Sequence, residues 1–208
     1  MEVPTTPPAT DHVPRAATIR RATSETDITL SLDLDGDGAS VVTTGVGFFD
    51  HMLTHIARHG LLTLCVTATG DRHIDDHHTV EDVGIALGDA LRQAIGDKRG
   101  IARYGDAAVP MDETLVLCAL DFSGRGAFYT DLAFPDTRIG ETFASELVEE
   151  FFHAVARNAG ITLHLRLLAG KNAHHIAEGA FKAFGRALSM AARRDSRVVG
   201  IPSTKGVL

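Results

Sequence analysis

Hydrophobic residues recur along this chain with two different periods, and segments of the two kinds alternate. ITLSLDL (28–34) alternates apolar and polar residues, which is typical of a half-buried strand. Residues 77–95 place apolar side chains three and four positions apart, which predicts an amphipathic helix. The periods predict strands at 17–23, 28–34, 40–44, 61–69, 115–121, 127–132 and 161–168, and helices at 48–59, 77–95, 142–158 and 173–193.

The second half of the chain repeats the first. HHTVEDVGIALGDAL (77–91) and HHIAEGAFKAFGRAL (174–188) are identical at seven of 15 positions. GLLTLCVTATG (60–70) and GITLHLRLLAG (160–170) share their length and both bounding glycines. Two matches in the same order along the chain predict an internal duplication.

The duplication determines the predicted fold class and domain organisation. Each half has the order β-β-(β)-α-β-α, so residues 15–208 are predicted to form one α+β domain with repeats at about 15–100 and 101–208. One half cannot cover its own apolar faces, so helices of both halves are expected to pack together between two sheets. Residues 1–14 are rich in proline and threonine and are predicted to form a flexible arm.

Composition excludes several function classes. With 44% apolar residues the chain can bury a core, and its net charge of -7 argues against a broad nucleic-acid or membrane-surface footprint. The two cysteines, Cys65 and Cys118, lie in apolar runs without CxxC spacing, which argues against a disulfide framework or thiolate metal site. No apolar stretch approaches the roughly 20 residues that span a bilayer, and the first residues lack a secretory apolar region. We expect a cytoplasmic protein.

Both long helices begin with the pattern His-His-x-x-Glu. In each copy the first histidine and the glutamate are four residues apart and share a helix face, whereas the second histidine is rotated by about 100°. A pseudo-twofold arrangement would let each helix give its first histidine and glutamate to one metal ion and its second histidine to another. The two sets predicted in this way are His77, Glu81 and His175 for one ion, and His174, Glu178 and His78 for the other.

A fourth pair of ligands follows from the same symmetry. Aligning the halves places His51 near Glu150, and His153 could take the place of Glu150. Imidazole and carboxylate without sulfur suit Mn, Fe, Co, Ni or Zn, and open positions for a substrate favour a six-coordinate ion over tetrahedral zinc. A single His-His-x-x-Glu could equally be a solvated helix start, but two copies at matching places favour the metal site.

In these motifs the chain resembles the imidazoleglycerol-phosphate dehydratases, which are enzymes of histidine biosynthesis. The resemblance runs over about residues 15–208. It rests on FFDHML (48–53), ATGDRHIDDHHTVED (68–82), GDKRGIARYGDA (96–107), PMDETL (110–115), DFSGR (121–125), AGKNAHHIAEGAFKAFGRAL (169–188) and IPSTKGVL (201–208).

The resemblance implies a manganese-dependent lyase that converts D-erythro-imidazole glycerol phosphate to imidazole acetol phosphate. It implies two mixed sheets enclosing a four-helix bundle, of the ribosomal protein S5 domain 2-like kind, and trimers that assemble into a 24-mer with active sites between subunits. It also implies two Mn²⁺ ions per active site, one held by His51, His78, His174 and Glu178 and the other by His77, Glu81, His175 and the residue at 150.

The resemblance implies roles for further residues. Glu25 and Glu178 become the candidates for acid–base catalysis, and Glu25 also contacts the substrate. The remaining substrate-binding residues are expected at the phosphate end, and they are His55, His59, Arg103, Arg125, Lys182, Ser203 and Lys205. Many relatives have histidine where this chain has Glu150, and some have glutamine at the position of His55.

Two other functions remain open at this stage. A binuclear metallohydrolase uses similar ligands to activate water, but this chain lacks the Asp-rich strand ends common in that class. A non-catalytic shell protein could use its metal ions only to hold subunits together.

Overall fold

The computed structural model of the protein describes residues 14–208, so the arm predicted at 1–14 lies almost entirely outside the described residues. The strands are β1 (Ala16–Ala22), β2 (Thr26–Asp33), β3 (Ser40–Thr43), β4 (Thr63–Gly70), β5 (Tyr104–Met111), β6 (Thr114–Asp121), β7 (Ala127–Thr130), β8 (Arg138–Ile139), β9 (Phe143–Ala144) and β10 (Thr162–Ala169). The helices are α1 (Gly47–Gly60), α2 (His77–Ile95), α3 (Glu146–Ala159) and α4 (Ala173–Ala192). None of the described helices is both long and apolar enough to cross a bilayer.

The two four-stranded sheets have the same topology. The first has the strand order β1-β2-β4-β3 and the second β5-β6-β10-β7. In each sheet the last pair is parallel and the other pairs are antiparallel. The predicted duplication and the α+β class with mixed sheets are therefore confirmed.

The predicted secondary structure needs correction at two places. The predictions omit β5, whose sequence YGDAAVPM is built largely from small residues and carries little hydrophobic signal. Pro110 is tolerated there because β5 lies at a sheet edge, where a missing N–H leaves no ladder bond unmade. The third helix begins at Glu146 rather than at residue 142, because β9 pairs with β8 in a short hairpin instead of entering the helix.

The helices form a layer between the two sheets. Helix α2 packs on the first sheet and α4 on the second, while α1 of the first half contacts α4 and α3 of the second half contacts α2. Aromatic rings fill the space between them; Phe152 lies 4.7 Å from Phe181 and 5.3 Å from Phe184 between ring centroids. Each half therefore covers apolar surface of the other, as predicted.

Glycines allow the helices of different halves to cross closely. A Cβ at Gly185 in α4 would lie 2.8 Å from the carbonyl oxygen of Ile56 and 3.2 Å from the backbone nitrogen of Gly60, both in α1. The equivalent residue in α2, Gly88, is similarly close to α3, with its Cβ position 2.9 Å from the carbonyl oxygen of Val155. This shared crossing explains why the glycine is identical in the two repeats.

We expect Gly185→Ala to destabilise the protein although alanine favours helix. The new methyl group meets backbone atoms of α1, which cannot turn aside, and such overpacking costs about 1–3 kcal/mol. Gly47→Ala, also in a helix but with nothing within 4 Å of its Cβ position, should be neutral or slightly stabilising. Urea unfolding of both variants tests this, and equal stability changes would contradict the close crossing.

Candidate metal centre

Side-chain caps fix the histidine pairs in the first turns of α2 and α4. The side-chain oxygen of Asn172 accepts hydrogen bonds from the backbone N–H groups of His174 (2.9 Å) and His175 (3.3 Å). At the start of α2, the carboxylate of Asp75 accepts a hydrogen bond of 2.8 Å from the backbone N–H of His77. Such caps satisfy backbone donors that have no partner within the helix, so the direction of each pair is set by its helix start.

Neighbouring imidazoles in each pair point in different directions. The two ring centroids are 6.2 Å apart in both pairs, and the rings are nearly perpendicular, at 89° in α2 and 86° in α4. The first ring of each pair faces the glutamate of its own helix. The distance from Nε2 to the carboxylate is 3.9 Å for His77 and Glu81, and 3.0 Å for His174 and Glu178.

The second histidine of each pair is held at Nδ1 by a carboxylate. Nδ1 of His78 lies 3.1 Å from both oxygens of Asp71, and Nδ1 of His175 lies 2.8 Å from Glu113. Since an ionised carboxylate only accepts, each Nδ1 carries the hydrogen, and Nε2 of the neutral ring is left as the nitrogen able to bind a metal ion. The hydrogen bond that His78 donates to Asp71 also raises the pKa of His78.

The sequence patterns do not single out Asp71 or Glu113. A second repeat match could have found Glu113, because SETDITLSLD (24–33) and DETLVLCALD (112–121) share the glutamate, the threonine, a leucine and the final aspartate. This match makes Glu113 the equivalent of Glu25. Glu25 itself lies beside the first pair, 3.8 Å from Nδ1 of His78.

Glu178 lies at the centre of a cluster formed by α1 and α4. Its carboxylate is 3.6 Å from Nε2 of His51 and 3.2 Å from Nε2 of His55. Nζ of Lys182 donates to it at 2.6 Å, and Nε2 of His174 lies 3.0 Å away. The Glu178 side chain is only 8% exposed. The structure thus brings together three residues predicted to share one metal ion, His51, His174 and Glu178.

The cluster perturbs the pKa values of its members. Burial lowers the pKa of His55 to about 4, and the attraction of Glu178 does not reverse this shift. Burial opposes ionisation of Glu178, but the hydrogen bond from Lys182 and the nearby imidazoles lower its pKa to about 2. The pKa of His59 is also lowered, first by burial and then by Lys182. At neutral pH the ionised carboxylate of Glu178 therefore lies beside the neutral imidazole of His55.

The equivalent positions in the other half carry different side chains. Helices α1 and α3 are both 14 residues long, and the fifth residue is His51 in α1 and Glu150 in α3. In the other cluster, Ala154, Asn158 and Ile85 occupy the positions that are equivalent to His55, His59 and Lys182. Glu81 is correspondingly open, with 45% of its side chain exposed. The duplicated framework therefore carries one crowded cluster and one open one.

The two residues predicted as alternatives for the fourth ligand on the open side have no partner among residues 14–208. Glu150 is half-buried on α3 and His153 is exposed. Within residues 14–208 neither side chain makes a hydrogen bond or an ion pair. Both are therefore available to a ligand.

Four of the predicted phosphate-end residues line a second region. They surround a cavity of about 510 Å³ together with the last residues of the chain, and they are Arg103, Arg125, Ser203 and Lys205. Arg103 has a backbone φ of 73° and donates to both carboxylate oxygens of Asp121, at 2.7 and 3.1 Å, and to the carbonyl of Pro202 at 2.8 Å. The pair with Asp121 raises the pKa of Arg103, so the guanidinium is fixed and charged.

Lys98, which the sequence patterns do not single out, adds a cation near this cavity. A Cβ at Gly124, which lines the cavity, would lie 3.4 Å from Nζ of Lys98. Burial lowers the pKa of Lys98, and the charge of Arg103 adds to this effect against the attraction of Asp121. The cavity is therefore cationic and suited to an anion.

The cavity and the metal cluster lie far apart within one chain. The backbone N–H of Arg103 donates to the carbonyl of Ala191 at the end of α4, whereas His174 is in the first turn of that helix. Seventeen residues at 1.5 Å each separate the two by about 25 Å along the helix axis. Lys182, which was also predicted at the phosphate end, contacts Glu178 in the metal cluster and does not line the cavity.

Comparison with solved structures finds the same fold. The imidazoleglycerol-phosphate dehydratase of Staphylococcus aureus subsp. aureus N315 matches with a TM-score of 0.79 and 41% identity, covering 86% of this chain and 99% of that one. The enzyme of the same name from Pyrococcus furiosus matches with a TM-score of 0.79 and 40% identity, covering 91% and 100%.

Sequence comparisons agree. A family model described as imidazoleglycerol-phosphate dehydratase matches residues 44–188. The protein of that name from Desulforamulus reducens is 62% identical over 194 residues, which is 93% of this chain and 98% of the relative. Its counterpart in Acetivibrio thermocellus is 59% identical over 190 residues, 91% of this chain and 97% of the relative. The chain belongs to the imidazoleglycerol-phosphate dehydratase family of hydro-lyases.

Proposed function

We propose that the protein catalyses the manganese-dependent dehydration of D-erythro-imidazole glycerol phosphate to imidazole acetol phosphate, a step of histidine biosynthesis, in the cytoplasm. The observation that carries this proposal is the pair of helix starts at which one imidazole faces a glutamate and the next is held at Nδ1 by a carboxylate. Family membership supplies the reaction to which this arrangement is fitted.

The donor set fits two Mn²⁺ ions per active site. Neutral imidazole and carboxylate suit such ions, and the carboxylates at Nδ1 leave Nε2 of His78 and His175 available. One ion would be held by His51, His78, His174 and Glu178, and the other by His77, Glu81, His175 and Glu150, for which His153 is the alternative. Bound manganese would act as a Lewis acid on the imidazole ring of the substrate.

Two glutamates are placed to move protons. The reaction removes a hydroxyl group and a carbon-bound hydrogen as water, and the resulting enol becomes the ketone. One carboxylate must accept the proton while a protonated group donates to the departing hydroxyl, and such acid–base catalysis is worth about 10²–10⁴-fold. Glu178 is held ionised by Lys182, and Glu25 is half-exposed beside His78.

The cationic groups are suited to the phosphate of the substrate. Guanidinium groups match phosphate oxygens in pairs, and the cavity presents Arg103 and Arg125 with Ser203 and Lys205. Lys182, with His55 and His59 near it, would contact the substrate from the metal cluster.

One substrate molecule cannot bridge these regions within a single chain. A ring with a three-carbon phosphate tail, built from bonds of about 1.5 Å, reaches only about 10 Å. Glu178, at the centre of the cluster, lies about 20 Å from Ala191 along α4, and His174 about 25 Å. We therefore propose that different copies of the chain supply the metal cluster and the cavity. Trimers assembling into a 24-mer would provide such sites.

The test is a manganese-dependent ultraviolet assay for ketone formation from imidazole glycerol phosphate, run beside a measurement of particle size. Turnover that is lost on chelation and restored by Mn²⁺ is the expected result. Hydrolysis of phosphoesters without dehydration would instead identify a metallohydrolase. Dissociation of the particle on chelation with no substrate binding would identify a non-catalytic shell.

A further inference from the structure

Glu113, in the turn between β5 and β6, makes hydrogen bonds to the first turn of α4 and to the residues just before it. One carboxylate oxygen, Oε2, lies 2.8 Å from Nδ1 of His175. The other, Oε1, accepts hydrogen bonds from the backbone N–H groups of Lys171 (3.3 Å) and Asn172 (3.0 Å) and from the hydroxyl of Thr114 (3.2 Å). The turn between β5 and β6 is thereby tied to the cap of the helix that carries the second histidine pair.

The repeat shows that this role is divided differently in the two halves. Glu25, the equivalent of Glu113, lies 3.8 Å from Nδ1 of His78, too far for a hydrogen bond. Asp71, the residue after the glycine that ends β4, holds His78 instead. The residue after the corresponding Gly170 is Lys171, which has no carboxylate. In the second half Glu113 holds Nδ1 of the histidine at hydrogen-bond distance, while the carboxylate of Asp112 lies 3.8 Å from its Nε2, too far for a hydrogen bond.

We infer that Glu113 is a positioning residue, which fixes His175 in the tautomer with hydrogen on Nδ1 and so presents Nε2 as a metal-binding nitrogen. The inference rests on the proposed function, because it assigns a role in the same metal site. It also explains why the two equivalent glutamates differ. Asp71 leaves Glu25 free for the substrate, whereas Glu113 is fully engaged by His175 and the backbone.

Glu113→Gln tests this inference, because the substitution should change the tautomer of His175. Glutamine has one oxygen and one NH₂ group, and two backbone N–H groups face the position of Oε1. The single oxygen will stay with the two backbone donors, which turns the NH₂ group toward His175. That NH₂ group needs an acceptor, so Nδ1 loses its hydrogen and Nε2 becomes protonated. The variant therefore inverts the tautomer with little change of shape.

The experiment titrates the full chain with Mn²⁺ alone and records the nitrogen-15 solid-state NMR spectrum of histidine-labelled protein. In Glu113→Gln we expect one of the two manganese ions per chain to bind about 10- to 100-fold more weakly, the usual effect of removing an outer partner of a metal ligand. The other ion should be unaffected. The His175 signal, identified by its absence in His175→Gln, should change from unprotonated to protonated Nε2.

Asp136→Asn is the matched control. Asp136 and Glu113 both line a second cavity, of about 550 Å³, at the start of α4, and the variant removes the same charge, so both ions should bind as in wild type. Unchanged manganese affinity in Glu113→Gln would overturn the inference, as would a wild-type spectrum showing hydrogen on Nε2 of His175. The wild-type spectrum decides the matter even if the variant does not fold. Absence of manganese binding by wild-type protein would instead overturn the proposed function, while the wild-type spectrum would still decide the tautomer of His175.

Discussion

His77→Ala and His174→Ala should each reduce dehydration to background and lower the amount of bound manganese. Each variant removes the histidine that faces the glutamate of its own helix, at 3.9 Å in α2 and 3.0 Å in α4. Stabilisation by a Lewis acid is worth several kcal/mol, and about 4 kcal/mol is a thousandfold in rate. Turnover and metal content, measured on the same preparations, should therefore fall together.

The control is His164→Ala, because His164 stacks on Tyr129, with ring centroids 4.8 Å apart, away from both histidine pairs. This variant should keep its manganese and its turnover. Full activity of metal-stripped His77→Ala would eliminate the proposed role of the metal ions. Retained activity in only one of the two variants would show that one ion suffices for the chemistry.

Much of the fold could be predicted because strong periodic patterns dominate it. The boundaries predicted for α2 are those observed, since the helix has a continuous apolar stripe, a hydrogen bond from the backbone N–H of His77 to Asp75 at its start, and Gly96 directly after its end. The match between the repeats also predicted correctly that helices of one half cover the other. By contrast, β5 has small residues and a proline in place of a hydrophobic pattern, and pairing with β6 holds it in place. Such a strand is determined by its neighbour rather than by its own sequence.

The candidate site was predictable where residues act within one helix. Spacing of four residues predicted that Glu178 would lie beside His174, because helix geometry alone determines that contact. The partners of the second histidines lie outside the helices: Asp71 is seven residues from His78, whereas Glu113 is 62 residues from His175. No local pattern marks such a contact, and only alignment of the two repeats points to it.

Co-assembly of two impaired variants should restore part of the activity, because the metal cluster and the cationic cavity that serve one substrate are proposed to come from different copies. His174→Ala disables the cluster. Arg125→Ala removes a guanidinium group that lines the cavity. Among residues 14–208 this group makes a single hydrogen bond, of 3.3 Å, to the carbonyl of Ser123. Loss of a charge-assisted bond to phosphate, at about 1.5–3 kcal/mol, should reduce turnover by about 10- to 100-fold.

The two variants would be co-expressed with different affinity tags and purified on both, so that every particle contains both chains. A site that takes its cluster from one copy and its cavity from another is intact in about a quarter of random pairings, which sets the expected recovery. His174→Ala co-assembled with Glu178→Gln is the matched control. Those two residues lie 3.0 Å apart in the same chain, so no pairing can provide an intact cluster. Absence of recovery in the test pair would mean that the cluster and the cavity do not meet across copies. The control should show no recovery, because every chain then carries one damaged residue in its own cluster, whichever copy supplies the cavity.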